Sequence, residues 1–356
     1  MKNNINKKLL VFLTFIFCFY PAFAETGQQL LNKIGRTPVK QAKPKGEMRI
    51  FVKEGEEVIT NFETAYLTAS PKIHIILPDG TWQERVPSVY IISPEEIDRE
   101  KLKEKFPTNY NNYLFVTVRS DGEETNFTPF LTHELLPYIE VNYFVSSNAT
   151  DRTLIVKNSF AINYLTNLEE ISEYLQNVVL GFDYSSPLPE IKAQKGLNLL
   201  AYGPLEEMAS LHASLAKNGL VYLQDFAYNI AEKAPLVTPE NLDFLFNKEG
   251  RKIIKMTPYQ QFKTLDLSKD INSAFWLNLT AKNGYNLAYV PQNFRIAPPL
   301  LNWDKEQGVF EIISGAAAGK VKVSGKTEFG KNFKAQFTLI DSANQPQKAA
   351  KNGKNK

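Results

Sequence analysis

The chain has 356 residues, 41 lysines and arginines against 38 acidic residues, a formal net charge of +3 and a single cysteine. So even a balance excludes a global basic face of the kind that releases counterions from nucleic-acid phosphates, and one thiol excludes a disulfide framework within the chain. The length allows two or three ordinary hydrophobic cores.

At the start, Lys2, Lys7 and Lys8 precede an apolar run from Leu9 to Tyr20 that ends in Ala22-Phe23-Ala24. A charged start, a short apolar segment and small residues at minus three and minus one predict a secretory signal peptide, with cleavage between Ala24 and Glu25. The run is too short to serve as a membrane anchor. Cleavage removes Cys18 and three lysines, so the 41 basic residues fall to match the 38 acidic ones and the mature chain is neutral and cysteine-free. Export without disulfides, in a chain rich in Asn and Lys, points to the periplasm or surface of a bacterium.

Residues 25–47 are polar, with Pro38 and Pro44 breaking any long helix, and read as a flexible arm. Short β-type runs follow: 48–52, 72–77, 88–92, 113–118 and 139–145. Asp79-Gly80 and Asp121-Gly122 are dipeptides that accept positive φ, which predicts tight hairpins and antiparallel neighbours. One helix interrupts them, with Ser93 as cap and Pro94 in the first turn, ending near Phe106. A helix capped at Thr166 or Asn167 places Leu168, Ile171, Leu175 and Val178 on one face and stops at Gly181. Further helices open at Pro204-Leu205-Glu206-Glu207, closing at Gly219, and at Thr238-Pro239-Glu240. Between them, runs at 197–202, 220–223 and 252–256 have strand length. From residue 274 the β pattern returns, and in Lys320–Ser324 and 334–339 one residue in two is apolar, the period of a strand with one wet face. The last residues, with Lys348, Lys351, Lys354 and Lys356, form a basic tail too polar to fold.

The predicted fold is therefore α+β and β-rich: an antiparallel β-sandwich-like N-terminal region (48–165), an α/β middle region (166–272), a C-terminal immunoglobulin-like β domain (273–341) and a disordered tail (342–356).

Catalytic motifs are scarce. The three histidines, His74, His133 and His212, stand in dissimilar settings, and His74 reads as the wet face of a strand. Thr132-His133-Glu134-Leu135-Leu136 opens like a metallopeptidase helix, but Pro137 occupies the place of the second ligand, so no metal is expected. There is no Gly-X-Ser-X-Gly elbow. Gly315-Ala316-Ala317-Ala318-Gly319-Lys320 has the wrong spacing for a phosphate loop and is followed by a strand. Asp183 and Asp225 are the candidates for paired carboxylates, Asp183 being the one local structure explains least and Asp225 open to ordinary loop or turn chemistry, with Glu206 and Glu207 accounted for by the helix dipole. Among aromatics, Tyr110, Tyr113, Tyr138, Tyr143 and Tyr164 accumulate early, and Trp82 and Trp303 are the candidates for a binding surface.

These features predict an exported, non-enzymatic binding or assembly protein of the bacterial cell envelope. Its expected partners are envelope proteins, cell-surface polysaccharide or further copies of itself, with no cofactor and no nucleic acid. Two alternatives stand beside it: a hydrolase acting on polysaccharide or peptidoglycan through Asp183 and Asp225, and a small-ligand binding protein with a pocket beside the α/β middle region.

Overall fold

The computed structural model describes residues 49–343 apart from 54, 79–83, 107–111, 121–125, 184–186, 193–195, 232–235 and 270. The expected signal peptide with Ala22, Ala24 and Glu25, the expected arm (25–47), both Asp-Gly turns, Trp82, Tyr110 and residues 344–356 of the expected tail lie outside the described residues. Residues 46–356 cluster as one unit.

The strands of the first part are β1 (Arg49–Lys53), β2 (Glu56–Thr60), β3 (Lys72–Ile76), β4 (Ser88–Ser93), β5 (Leu114–Arg119), β6 (Arg152–Lys157), β7 (Asn177–Gly181), β8 (Asn198–Gly203) and β9 (Phe226–Ile230). Their order across the sheet is β1-β2-β3-β5-β4-β6-β7-β8-β9. Pairings are antiparallel as far as β3 with β5, and parallel from β5 through to β9. The helices between them are α1 (Arg99–Lys105), α2 (residues 127–142, with a π-helical stretch at Phe130–Leu135), α3 (Ser159–Thr166), α4 (Leu168–Ile171) and α5 (Leu205–Lys217). After β9 comes α6 (Pro239–Phe246), where the Thr238 hydroxyl accepts the Asn241 amide as the sequence suggests.

The remaining strands are β10 (Ile253–Gln260), β11 (Thr264–Asp266), β12 (Ser273–Ala281), β13 (Asn286–Tyr289), β14 (Arg295–Ala297), β15 (Leu301–Asp304), β16 (Val309–Ile312), β17 (Gly319–Lys326) and β18 (Asn332–Ile340). The pair Ala288 and Tyr228 joins β13 to β9, so β10, β12, β13, β15 and β16 continue the large sheet. A second sheet, β11-β18-β17-β14, packs on it through Phe275, Phe294, Trp303, Phe310, Phe333 and Phe337.

This architecture corrects the predicted fold class. The N-terminal region is no antiparallel sandwich: its central strands belong to a mixed α/β sheet flanked by helices. Nor is the C-terminal part a separate immunoglobulin-like domain, because one of its two sheets is the edge of the α/β sheet itself. The physical reason is legible in the burial. Val89–Ile92, Leu114–Val118, Thr153–Val156 and Val178–Gly181 are buried without interruption, as helices on both faces of a parallel sheet require. A continuous apolar run announces a strand but carries no sign of parallel or antiparallel pairing.

Local expectations also change, among them the start of α1, which falls after Asp98 rather than at Ser93, the last residue of β4. Residues 139–142 end a helix rather than belong to a strand; Val178 and Gly181 lie in β7, not on the helix that starts at Leu168. The strands flanking Asp79-Gly80, β3 and β4, are not sheet neighbours, since β5 lies between them. Gly181 closes β7 under α6, where an added Cβ would come within 2.7 Å of Leu236 Cδ1.

Candidate functional site

The chain order of the parallel strands places the site. From β4 the chain moves to β5 on one side, and from β6 to β7 on the other, while β4 and β6 are themselves paired. Two neighbouring strands whose connections leave in opposite directions open a crevice outside their carboxyl ends, the usual ligand position in open α/β sheets. At that end of β6, Lys157 leads directly through Asn158 into α3.

Asn158 has φ 52° and ψ −118°, a conformation that costs a residue with a Cβ about 1–3 kcal/mol and persists only where its surroundings impose it. Here they do. Its amide donates to Gly181 O at 2.7 Å, its carbonyl accepts the Ile162 amide at 3.0 Å, and its side-chain Oδ1 accepts the Asp183 amide at 2.9 Å. A tight strand-to-helix turn through one strained residue holds that side chain above the carboxyl edge of the sheet. It is the backbone geometry of the elbow that carries the nucleophile in α/β-hydrolases. In this chain the elbow reads Val156-Lys157-Asn158-Ser159-Phe160, with an amide where a hydroxyl would stand and no glycine on either side.

Asp183 follows β7 by two residues and faces the same turn. One carboxylate oxygen, Oδ2, lies 2.5 Å from Lys157 Nζ in a half-buried ion pair. The other, Oδ1, is buried without a hydrogen-bond partner. Orphaned buried acceptors are rare, and a polar ligand is one way to satisfy them. Lys157, Asn158 and Asp183 thus bring a cation, an amide and an acceptor together at one turn.

The other sequence candidates lie apart. Asp225 sits before β9, at the amino end of the sheet, with Oδ2 accepting the Val221 amide at 2.8 Å. The five-residue β7 alone separates the two ends by roughly 16 Å, whereas paired glycosidase carboxylates stand about 5–9.5 Å apart. Glu206 is exposed and Glu207 buried, both in the first turn of α5. Trp303 packs in the C-terminal aromatic core, 4.7 Å from Phe294 and Phe310 between ring centroids, with its indole N–H on Pro291 O. Tyr113 stacks on Phe246, Tyr138 packs on Phe62, Tyr143 donates to Glu57 and Tyr164 is fully buried, so these four share no exposed face.

All three histidines are engaged elsewhere. His74 is buried rather than solvent-facing, with Nδ1 2.6 Å from Glu56 and Nε2 3.1 Å from Glu96. His133 lies 3.7 Å from Glu170, and His212, wholly buried, sits between the Tyr228 hydroxyl and Glu328. No grouping of metal-ligating side chains occurs among the described residues, and none of their helices is long and apolar enough to cross a membrane. Sequence reasoning singled out Asp183 but missed Asn158 and Lys157, because the elbow is a backbone conformation and its glycine signature is absent.

No protein-family model matches the chain, and no curated protein matches it. Among solved structures it is similar to a ferulic acid esterase, at 12% identity and a TM-score of 0.40 over 52% of this chain and 91% of that one. It is also similar to a fluorophosphonate-binding serine hydrolase of Staphylococcus aureus, at 7% identity and a TM-score of 0.39 over 57% and 98%. The enterobactin esterase of Shigella flexneri shows 14% identity and a TM-score of 0.40 over 58% and 60%. The expectation of a non-enzymatic envelope assembly protein is overturned here. It rested on β-sandwich modules without a catalytic set; the chain instead builds a mixed α/β sheet flanked by helices, with a crevice at its switch point.

Proposed function

We propose that the turn of Lys157, Asn158 and Asp183 receives a small polar molecule bearing a carbonyl or carboxylate group, at the position where α/β-hydrolases hold their substrates. The strained backbone of Asn158 carries this reading: the fold maintains the elbow although the residue there is no nucleophile. An amide neither ionises nor attacks a carbonyl carbon at neutral pH, and no histidine contacts it to act as base. What Asn158 provides is its Nδ2 donor, its Oδ1 being held by the Asp183 amide, and Lys157 a positive charge for the ligand's oxygen. The test is a thermal-shift screen with short-chain esters, hydroxy acids and amides. A ligand that raises the melting temperature of the wild type but not of Asn158→Ala supports the reading; shifts unaffected by changes at 157, 158 and 183 would sink it.

A second reading, hydrolysis without a serine, is favoured by the orphaned Asp183 Oδ1. That oxygen would take a proton from water as the water oxygen attacks an ester carbonyl, Lys157 would offset the oxyanion, and the leaving alkoxide would recover the proton. Hydrolysis of p-nitrophenyl acetate abolished by Asp183→Asn supports it, and turnover indifferent to that change counts against it. We also propose export, on the strength of residues 1–24; fractionation with a mature N-terminus at Glu25 is the expected outcome.

A further inference from the structure

The opposite end of the sheet carries a second site. A cavity of about 620 Å³ opens between the segment before β9, the segment from Lys248 to Ile253, Lys282 and the turn at Glu328–Lys331. Its volume falls within the usual range for small-molecule sites.

Its charge is one-sided. Lys248, Arg251, Lys252, Lys282 and Lys331 line it against Glu249 and Glu328. Glu328 is already committed, with Oε1 on His212 and Oε2 on the Tyr222 amide. None of the four lysines forms an ion pair with a carboxylate among the described residues. Arg251 is buried, and its guanidinium is spent on neutral oxygens: Phe244 O and Leu245 O at 2.8 Å, where α6 ends, and Asn198 Oδ1 at 2.5 Å. It therefore adds positive charge to the cavity without a carboxylate to cancel it. Val221, Ile253 and Phe329 supply apolar wall.

We infer that this cavity binds a phosphate-bearing small molecule with an apolar or aromatic body. With the guanidinium engaged by the backbone, the groups left for recognition are ammonium ions, point charges that suit a multiply charged phosphate better than the planar, two-pronged pairing a carboxylate makes with arginine. Several uncompensated lysines around one concave surface focus the field on a compact polyanion. The apolar wall takes the body that phosphate alone lacks. This site shares no residue with the turn at Asn158, so either assignment stands without the other.

Titration calorimetry on the full chain with ADP, adenosine and a Lys252→Ala/Lys331→Ala variant tests the inference. A second variant, Lys320→Ala/Lys322→Ala, removes two exposed lysines of β17 that do not line the cavity. ADP is expected to bind at low salt and to weaken as salt rises. Adenosine is expected to bind at least about tenfold more weakly, and the cavity variant to lose roughly tenfold in ADP affinity while the β17 variant loses little. Equal binding of ADP and adenosine, no binding of ADP, or an equal loss in both lysine variants would overturn it.

Discussion

Replacing Asn158 by glycine and by alanine separates backbone strain from side-chain contact. Asn158 holds φ 52° and ψ −118°, and its Oδ1 accepts the Asp183 amide at 2.9 Å. Both substitutions lose that hydrogen bond, worth about 1 kcal/mol net. Alanine keeps a Cβ in a conformation costing about 1–3 kcal/mol, which glycine relieves. Against this, glycine gives the unfolded chain extra freedom worth about 0.4–1 kcal/mol. The strain term prevails, so Asn158→Gly should lie roughly 0.5–2 kcal/mol above Asn158→Ala in stability, the reverse of the usual order. Urea denaturation monitored by far-UV circular dichroism, with slopes compared so that only midpoints are read, gives the difference. An alanine variant as stable as the glycine variant would refute the claim that the fold imposes this turn, and with it the basis for placing the site there.

At Gly181, a Cβ would come within 2.7 Å of Leu236 Cδ1, so Gly181→Ala should destabilise by about 1–3 kcal/mol through overpacking; full recovery of the melting temperature is not expected unless Leu236 is shortened as well, and a neutral single variant would contradict the packing. Phe275→Ala should cost about 3–5 kcal/mol, and calorimetry should still show one transition because β12 and β9 belong to one sheet; two resolved transitions would indicate a separable C-terminal module. For Glu328, burial alone would raise the carboxyl pKa, but its hydrogen bond to His212 prevails and holds it below the usual value. An acid with a lowered folded pKa stabilises above its unfolded pKa of about 4.3 and loses that contribution as pH falls through the folded value. Glu328→Gln should therefore be less stable than wild type near pH 7, with the gap closing below about pH 4; a gap constant from pH 7 to 3 would refute it.

Legibility differed between the two halves of the fold. β17 and β18 alternate apolar and polar residues over 320–324 and 334–339, so their period of two could be read directly. α5 and α6 carried their own start signals in Glu206-Glu207 and Thr238-Pro239. The parallel strands carried none that distinguishes their partners, and the helix at 127–142 contains Ile139 and Val141, β-branched residues that resemble a strand locally. Of the site, Asp183 was visible because no local structure explained it.

By itself the sequence determined which segments are apolar enough to be strands, where the best-capped helices begin, and that no zinc-binding His-Glu-X-X-His pair is present, since all of these are local in the chain. Only the tertiary structure decided that β4 and β6 lie side by side, that Gly181 and Asp183 reach across to Asn158, and that Arg251 and lysines distant in sequence face one cavity. Strand order is chosen by the packing of two buried faces, and a strained turn by contacts from other strands; neither leaves a periodic mark on the residues that obey it.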